Sequence, residues 1–202
     1  MSANEAKKGM GVLEPSRPSG PVLDAGDYRA GDDAVERFRE LLRIPTVSRD
    51  NKSLRDDEPF RRWVPTLRRL FPRFFEVTEL TTIDDFGMLL RWPGADPSLD
   101  PVVMMAHQDV VPVDGQEWGH DPFGAEIIDG EIWARGTLDT KCIASAFFEA
   151  AEHLVGQGYV PPRDVWFFSS DGEEVAAPTC AHAVEWFRAH GIHPYMVLDE
   201  GG

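Results

Sequence analysis

His107 and Asp109 stand two positions apart in MMAHQDVVPV, Met104 to Val113, a run apolar enough to be a buried strand. At the end of such a strand both can be solvated loop residues, and a His-x-Asp match alone arises often by accident. The rest of the chain repeats the placement. DVWFFSS runs into Asp171, Glu173 and Glu174, YMVL runs into Asp199 and Glu200, and Asp139 follows ARGTL at the head of a long helical pattern. Singly, each carboxylate reads as a helix cap or a hydrated turn. Together, several acids and a histidine converging on one crevice would repel one another unless cations neutralised them, so metal binding is the economical reading. Imidazole with carboxylates suits zinc, cobalt or manganese better than calcium, which favours oxygen ligands throughout.

The elements that must carry these residues follow from periodicity. DDAVERFRELLRI has acids at its start and Val35, Phe38, Leu41 and Leu42 on one helical face, with Pro45 ending it. PFRRWVPTLRRLF reads as a helix from Phe60 to Phe71, kinked or restarted at Pro65. FFEVTEL, GMLLRW and PVVMMAH read as strands, and AEIIDGEIWARG as a hairpin turned at Asp129-Gly130. TKCIASAFFEAAEHLVGQG places Ile143, Ala146, Phe147, Ala150, Ala151 and Leu154 on one face of a helix. The strand DVWFFSS, the helix TCAHAVEWFRAHG and the strand YMVLDE complete the order. Helices alternating with apolar strands predict an α/β fold with a covered sheet, whose ligands gather beyond the carboxyl ends of the strands.

Bulk properties exclude some partners. The 202 residues suffice for one ordinary domain, and 35 acidic against 20 basic residues give a net charge of −15, which repels phosphate backbones and anionic membranes. No nucleic-acid or membrane partner is expected. The start of the chain lacks the apolar core of a signal peptide, which predicts a cytoplasmic protein. The first thirty or so residues, rich in Pro, Gly, Ser and charge, read as a mobile arm over 1–31. Cys142 and Cys180 have no CxxC spacing and are expected to be buried, reduced thiols.

The segments AHQDVVPV, EWGHDPFGAEIIDGEIWARGTLDTK, DGEEV and LDEGG, in this order, resemble the two-metal hydrolase family of acetylornithine deacetylase, succinyl-diaminopimelate desuccinylase, aminoacylase and carboxypeptidase S. The likeness is greatest to the carboxypeptidase S and N-acyl-amino-acid hydrolase branch. It implies a three-layer α-β-α, zinc-exopeptidase-like catalytic domain with a mixed sheet, of which residues 32–202 would be the N-terminal part. A lid domain, through which family members form homodimers, and the C-terminal half with a late histidine ligand would follow, and this chain alone is expected to be inactive. The resemblance implies two divalent ions, zinc first, with cobalt or manganese as alternatives. His107 and Asp199 would hold one, Glu174 the other, and Asp139 would bridge them. Asp109 would orient His107 through its other ring nitrogen, and Glu173 would be the general base. The implied activity is cleavage of an amide or peptide bond in N-acyl amino acids or small peptides, of carboxypeptidase or deacylase type. A dipeptidase of the same architecture and a non-catalytic metal-binding fragment are the alternatives. Two departures bear on the aim of Glu173: Gly172 separates it from Asp171 where the family commonly has Asp-Glu-Glu, and Ala177-Pro178 stand in place of a frequent Gly-Gly. His120 has no metal role in this resemblance, and His153, His182, His190 and His193 read as surface or capping residues.

Overall fold

Period-two alternation in the apolar runs and a period of 3.6 in the charged ones sort the chain into strands and helices. The computed structural model describes residues 30–200, so the arm expected over 1–31 lies outside the described residues except for Ala30 and Gly31. Helices α1 (Asp32–Leu42), α2 (Glu58–Leu70) and α3 (Pro72–Glu76) precede strands β1 (Glu79–Ile83), β2 (Gly87–Trp92) and β3 (Val102–Met105). The hairpin of β4 (Glu126–Ile128) and β5 (Glu131–Trp133) leads to α4 (Lys141–Gly156), then β6 (Val165–Ser169), α5 (Thr179–Ala189) and β7 (Met196–Leu198).

Five strands form one sheet in the order β1-β2-β6-β3-β7, antiparallel across the first two pairings and parallel across β6-β3 and β3-β7. Alternation gives the inner strands β2 and β6 two apolar faces. Met88, Leu90, Trp92 and Phe167 pack with buried residues of α1 to α4, whereas Leu89, Trp166 and Phe168 pack with Ala183 and Phe187 of α5. The result is the expected three-layer α-β-α arrangement with a mixed sheet.

Three local expectations give way to packing. FFE of FFEVTEL is helical, because Pro72 starts a new helical turn that brings Phe74 and Phe75 into the same core, whereas a strand would point them to opposite faces. The second helix begins at Glu58, earlier than predicted, and Pro65 lies inside it, flanked by the fully buried Trp63 and Leu67. In α4 the buried face is Ala144, Phe147, Phe148 and Ala151, while Ile143, Ala146 and Ala150 are exposed. Burying two phenylalanine rings outweighs burying one isoleucine and two alanines. Phe148 stacks on Phe71 and Phe75 and meets Phe74 and Phe167 edge-on. Both cysteines are free, but neither is buried: Cys142 is half-buried and Cys180 exposed. Among the described residues, no helix is long and apolar enough to cross a membrane.

Candidate metal centre

Since β6, β3 and β7 are parallel, their carboxyl ends open on the same edge of the sheet, and the predicted polar residues meet there. His107, Asp139, Glu173, Asp199 and Glu200 line one cavity of about 860 Å³. The ligand atoms of His107, Asp139 and Glu174 all lie within 4.8 Å of one another.

His107 is the buried member of this group. Its Nδ1 donates to the main-chain carbonyl of Asp109 at 2.8 Å, which turns Nε2 toward the cavity. Nε2 is 2.9 Å from Asp139 Oδ1, 3.6 Å from Glu200 Oε1 and 3.8 Å from Glu173 Oε2. Burial alone would lower the imidazole, but the Asp109 carboxylate, the charge of Glu200 and the hydrogen bond to Asp139 outweigh it and push it up to about 10. Burial also raises the Glu174 and Glu200 carboxyls, with the Asp139 charge adding to both. A field that strong favours a cation at Nε2, and the donor set of one imidazole and carboxylates fits a divalent transition metal.

Asp109 is fully buried, and its carboxylate does something its sequence position does not announce. It accepts the backbone N–H of Glu173 at 3.1 Å and that of Glu174 at 3.2 Å, so the end of β3 holds the turn after β6. The same carboxylate stands 3.5 Å from His107 Nδ1, farther than the main-chain carbonyl that orients the ring. Gly172 permits the turn, because a Cβ there would meet Ala177 Cβ at 2.5 Å, whereas the chain instead closes with an Ala177 N–H to Gly172 carbonyl bond of 2.8 Å.

Asp139 is positioned from the other side. It precedes a cis peptide to Thr140, directly before Lys141, whose buried ammonium donates to the carbonyls of Leu41, in the last turn of α1, and Ile44, just beyond it, at 3.2 and 2.6 Å. Burial lowers that ammonium to about 7, and no sequence pattern marks the residue as interior. Asp199 lines the cavity but stands outside the converging trio, exposed and accepting the N–H of Glu200 at 2.9 Å. Glu200, next to it in sequence, reaches closer to His107 than its position after Asp199 suggested. His120 lies apart, 3.6 Å from Glu126 and edge-on to Trp133.

Residues 103–201 match the family described as Peptidase family M20/M25/M40. Carboxypeptidase S of Saccharomyces cerevisiae is 33% identical over 94% of this chain and 36% of its own length. An N-fatty-acyl-amino acid synthase/hydrolase, PM20D1.1, of Danio rerio is 32% identical over 83% of the chain and 33% of its own. Among solved structures, the M20 family metallo-carboxypeptidase Sso-CP2 from Sulfolobus solfataricus shares the fold with a TM-score of 0.67 at 22% identity, over 85% of this chain and 38% of that one. The chain spans about a third of the length of the curated relatives it matches. Motif order, fold and the meeting of His107 with its carboxylates agree with these likenesses: residues 103–201 are part of a peptidase family M20/M25/M40 domain.

Proposed function

We propose that this chain contributes the metal-binding and base residues of a metal-dependent hydrolase that cleaves the amide or peptide bond of N-acyl amino acids or small peptides. The observation that carries this reading is the convergence of His107, Asp139 and Glu174 within 4.8 Å, beside Glu173. The names of two relatives, carboxypeptidase S and N-fatty-acyl-amino acid synthase/hydrolase, belong to the same chemical class. Residues 32–202 are in this reading the N-terminal part of the catalytic domain, and the activity is proposed for a protein of the relatives' length. The two free cysteines accord with a reducing compartment, and a cytoplasmic location belongs to the same proposal.

His107, Asp139, Glu174 and Asp199 would hold two divalent ions, with zinc as the first choice and cobalt or manganese as alternatives. Bound there, the ions would supply Lewis-acid polarisation of the scissile carbonyl and activation of water. Asp109 holds the Glu173–Glu174 turn against the histidine by its two backbone hydrogen bonds. Glu173, whose side chain is 54% exposed in the cavity, takes the proton from the attacking water and returns one to the leaving amine.

Two substitutions separate these roles. Asp139→Ala is expected to lose bound metal after dialysis, whereas Glu173→Gln keeps it, as elemental analysis will show on the chain itself. In the protein of full length, Glu173→Gln is expected to abolish release of amino acid from N-acyl amino acids and dipeptides, because an amide cannot shuttle the proton. An active Glu173→Gln protein overturns the base, and metal retained by Asp139→Ala overturns the ligand set.

A further inference from the structure

Behind the turn that carries Glu173 and Glu174 lies a buried polar cluster that the metal centre does not use. Arg55, just before α2, has a side chain only 7% exposed, with its guanidinium over the rings of Phe60 and Phe86 at 4.9 and 5.1 Å. Nε donates to Asp57 Oδ1 at 2.8 Å and Nη1 to Asp171 Oδ2 at 3.2 Å, while Nη2 stands 3.6 Å from Asp85. Asp171 is 3% exposed and takes a second hydrogen bond, 2.7 Å, from the hydroxyl of Thr179, the first residue of α5. One guanidinium therefore ties the start of α2, the β1–β2 connection and the residue before Gly172 to one another.

The turn is thus held from two sides. Asp109 grips the backbone N–H groups of Glu173 and Glu174 from the metal side, and Asp171 anchors the opposite end to Arg55 and Thr179. Ala176 and Ala177 wall both the metal cavity and a second cavity of about 300 Å³ that is also lined by Arg55, Asp171 and Thr179. The turn has space to retreat into unless the clamp spans it. A buried ion pair contributes little net stability compared with apolar packing, yet loss of one partner leaves the other buried and uncompensated, so the pair acts mainly on geometry.

We propose that Arg55 is a positioning residue for the metal centre: through Asp171 it sets how closely the Glu173–Glu174 turn stands to His107. The inference rests on the metal-dependent reading above. Arg55→Met keeps the stem and its contact with the rings but removes the ion pair, and Asp171→Asn keeps the shape and the Thr179 bond. Each variant is expected to weaken cobalt(II) binding by about ten- to a hundred-fold, the range typical of residues that orient metal ligands. Each should also speed amide exchange at Glu173 and Glu174 while β2 and β6 amides are unchanged. The double variant should be no worse than the single ones, and Arg55→Lys should recover part of the affinity. Arg91→Met is the control. Its guanidinium joins Glu79 and Asp164 far from the cavity lining, so it should lower melting temperature alone.

If Arg55→Met does not fold, Asp171→Asn carries the same test. Exchange at Glu173 and Glu174 that follows global stability, as in Arg91→Met, overturns the positioning role. Failure of the unaltered chain to bind cobalt(II) overturns the metal reading itself, a different result from a variant that binds as the unaltered chain does.

Discussion

Phe74 and Phe148 are sealed ring against ring beneath α1 to α4, whereas at the crevice the Asp139 side chain is 74% exposed and every residue of β7 faces solvent. In the first region many contacts of similar kind share the load. Phe148 alone meets five other aromatic rings, and burial is non-directional, so any ring of about the right size contributes. In the second, few groups each have one or two partners at set distances. Like charges repel there, and the arrangement stands because Asp109, Asp171 and the main chain over-determine it. Stability resides in the first region and aim in the second, so mutations in the two should fail in different ways.

The largest expected effect breaks the packed region. Phe148→Ala should cost about 3–5 kcal/mol in urea denaturation, by lost transfer energy and the cavity left behind. A loss below about 1 kcal/mol would show that the ring cluster does not dominate the fold.

Asp109→Ala attacks the other side of the comparison. It removes two charge-assisted acceptors from the Glu173 and Glu174 amides, offset by relief of repulsion with the Glu174 and Asp171 carboxylates, for a net loss of about 2 kcal/mol. The distinguishing readout is local. Amide resonances of Glu173 and Glu174 should move far, while His107 keeps its ring orientation because Nδ1 is held by a main-chain carbonyl. A reoriented His107 ring in the nuclear Overhauser pattern would contradict that division of labour.

Gly172→Ala sharpens the point that the turn is shaped by close approach. The added methyl meets Ala177 and should cost about 1 kcal/mol, and Ala177→Gly in the same chain should restore most of it. Equal losses in the single and double variants would place the strain elsewhere. At the small end, Val197→Thr on the exposed strand β7 should stay within about 0.5 kcal/mol by the same denaturation assay.

Legibility in the sequence followed the range of the interaction. The Asp129-Gly130 turn was readable because its positive φ values of 51° and 85° are a property of those two residues. GMLLRW was readable because both faces are apolar, and α1 because acids precede an amphipathic pattern. The misread FFE segment and the misjudged face of α4 share one cause. Phe74, Phe75, Phe147 and Phe148 choose their conformations to reach one another across about 70 residues of chain, a preference no local window holds.

The candidate site divides along the same line. The sequence by itself determined that polar residues end the apolar strands at His107, Asp171 and Asp199, since a carboxylate or imidazole there closes a run that is otherwise apolar. It also determined the family, because several motifs keep their order and spacing. Only the tertiary structure decided that Glu174 comes within 4.8 Å of His107 and Asp139, that Asp109 serves the turn after β6, and that Lys141 is interior. The Asp109 and Lys141 outcomes depend on hydrogen bonds between residues 64 to 100 positions apart. Their geometry exists only once the parallel strands have brought their ends together.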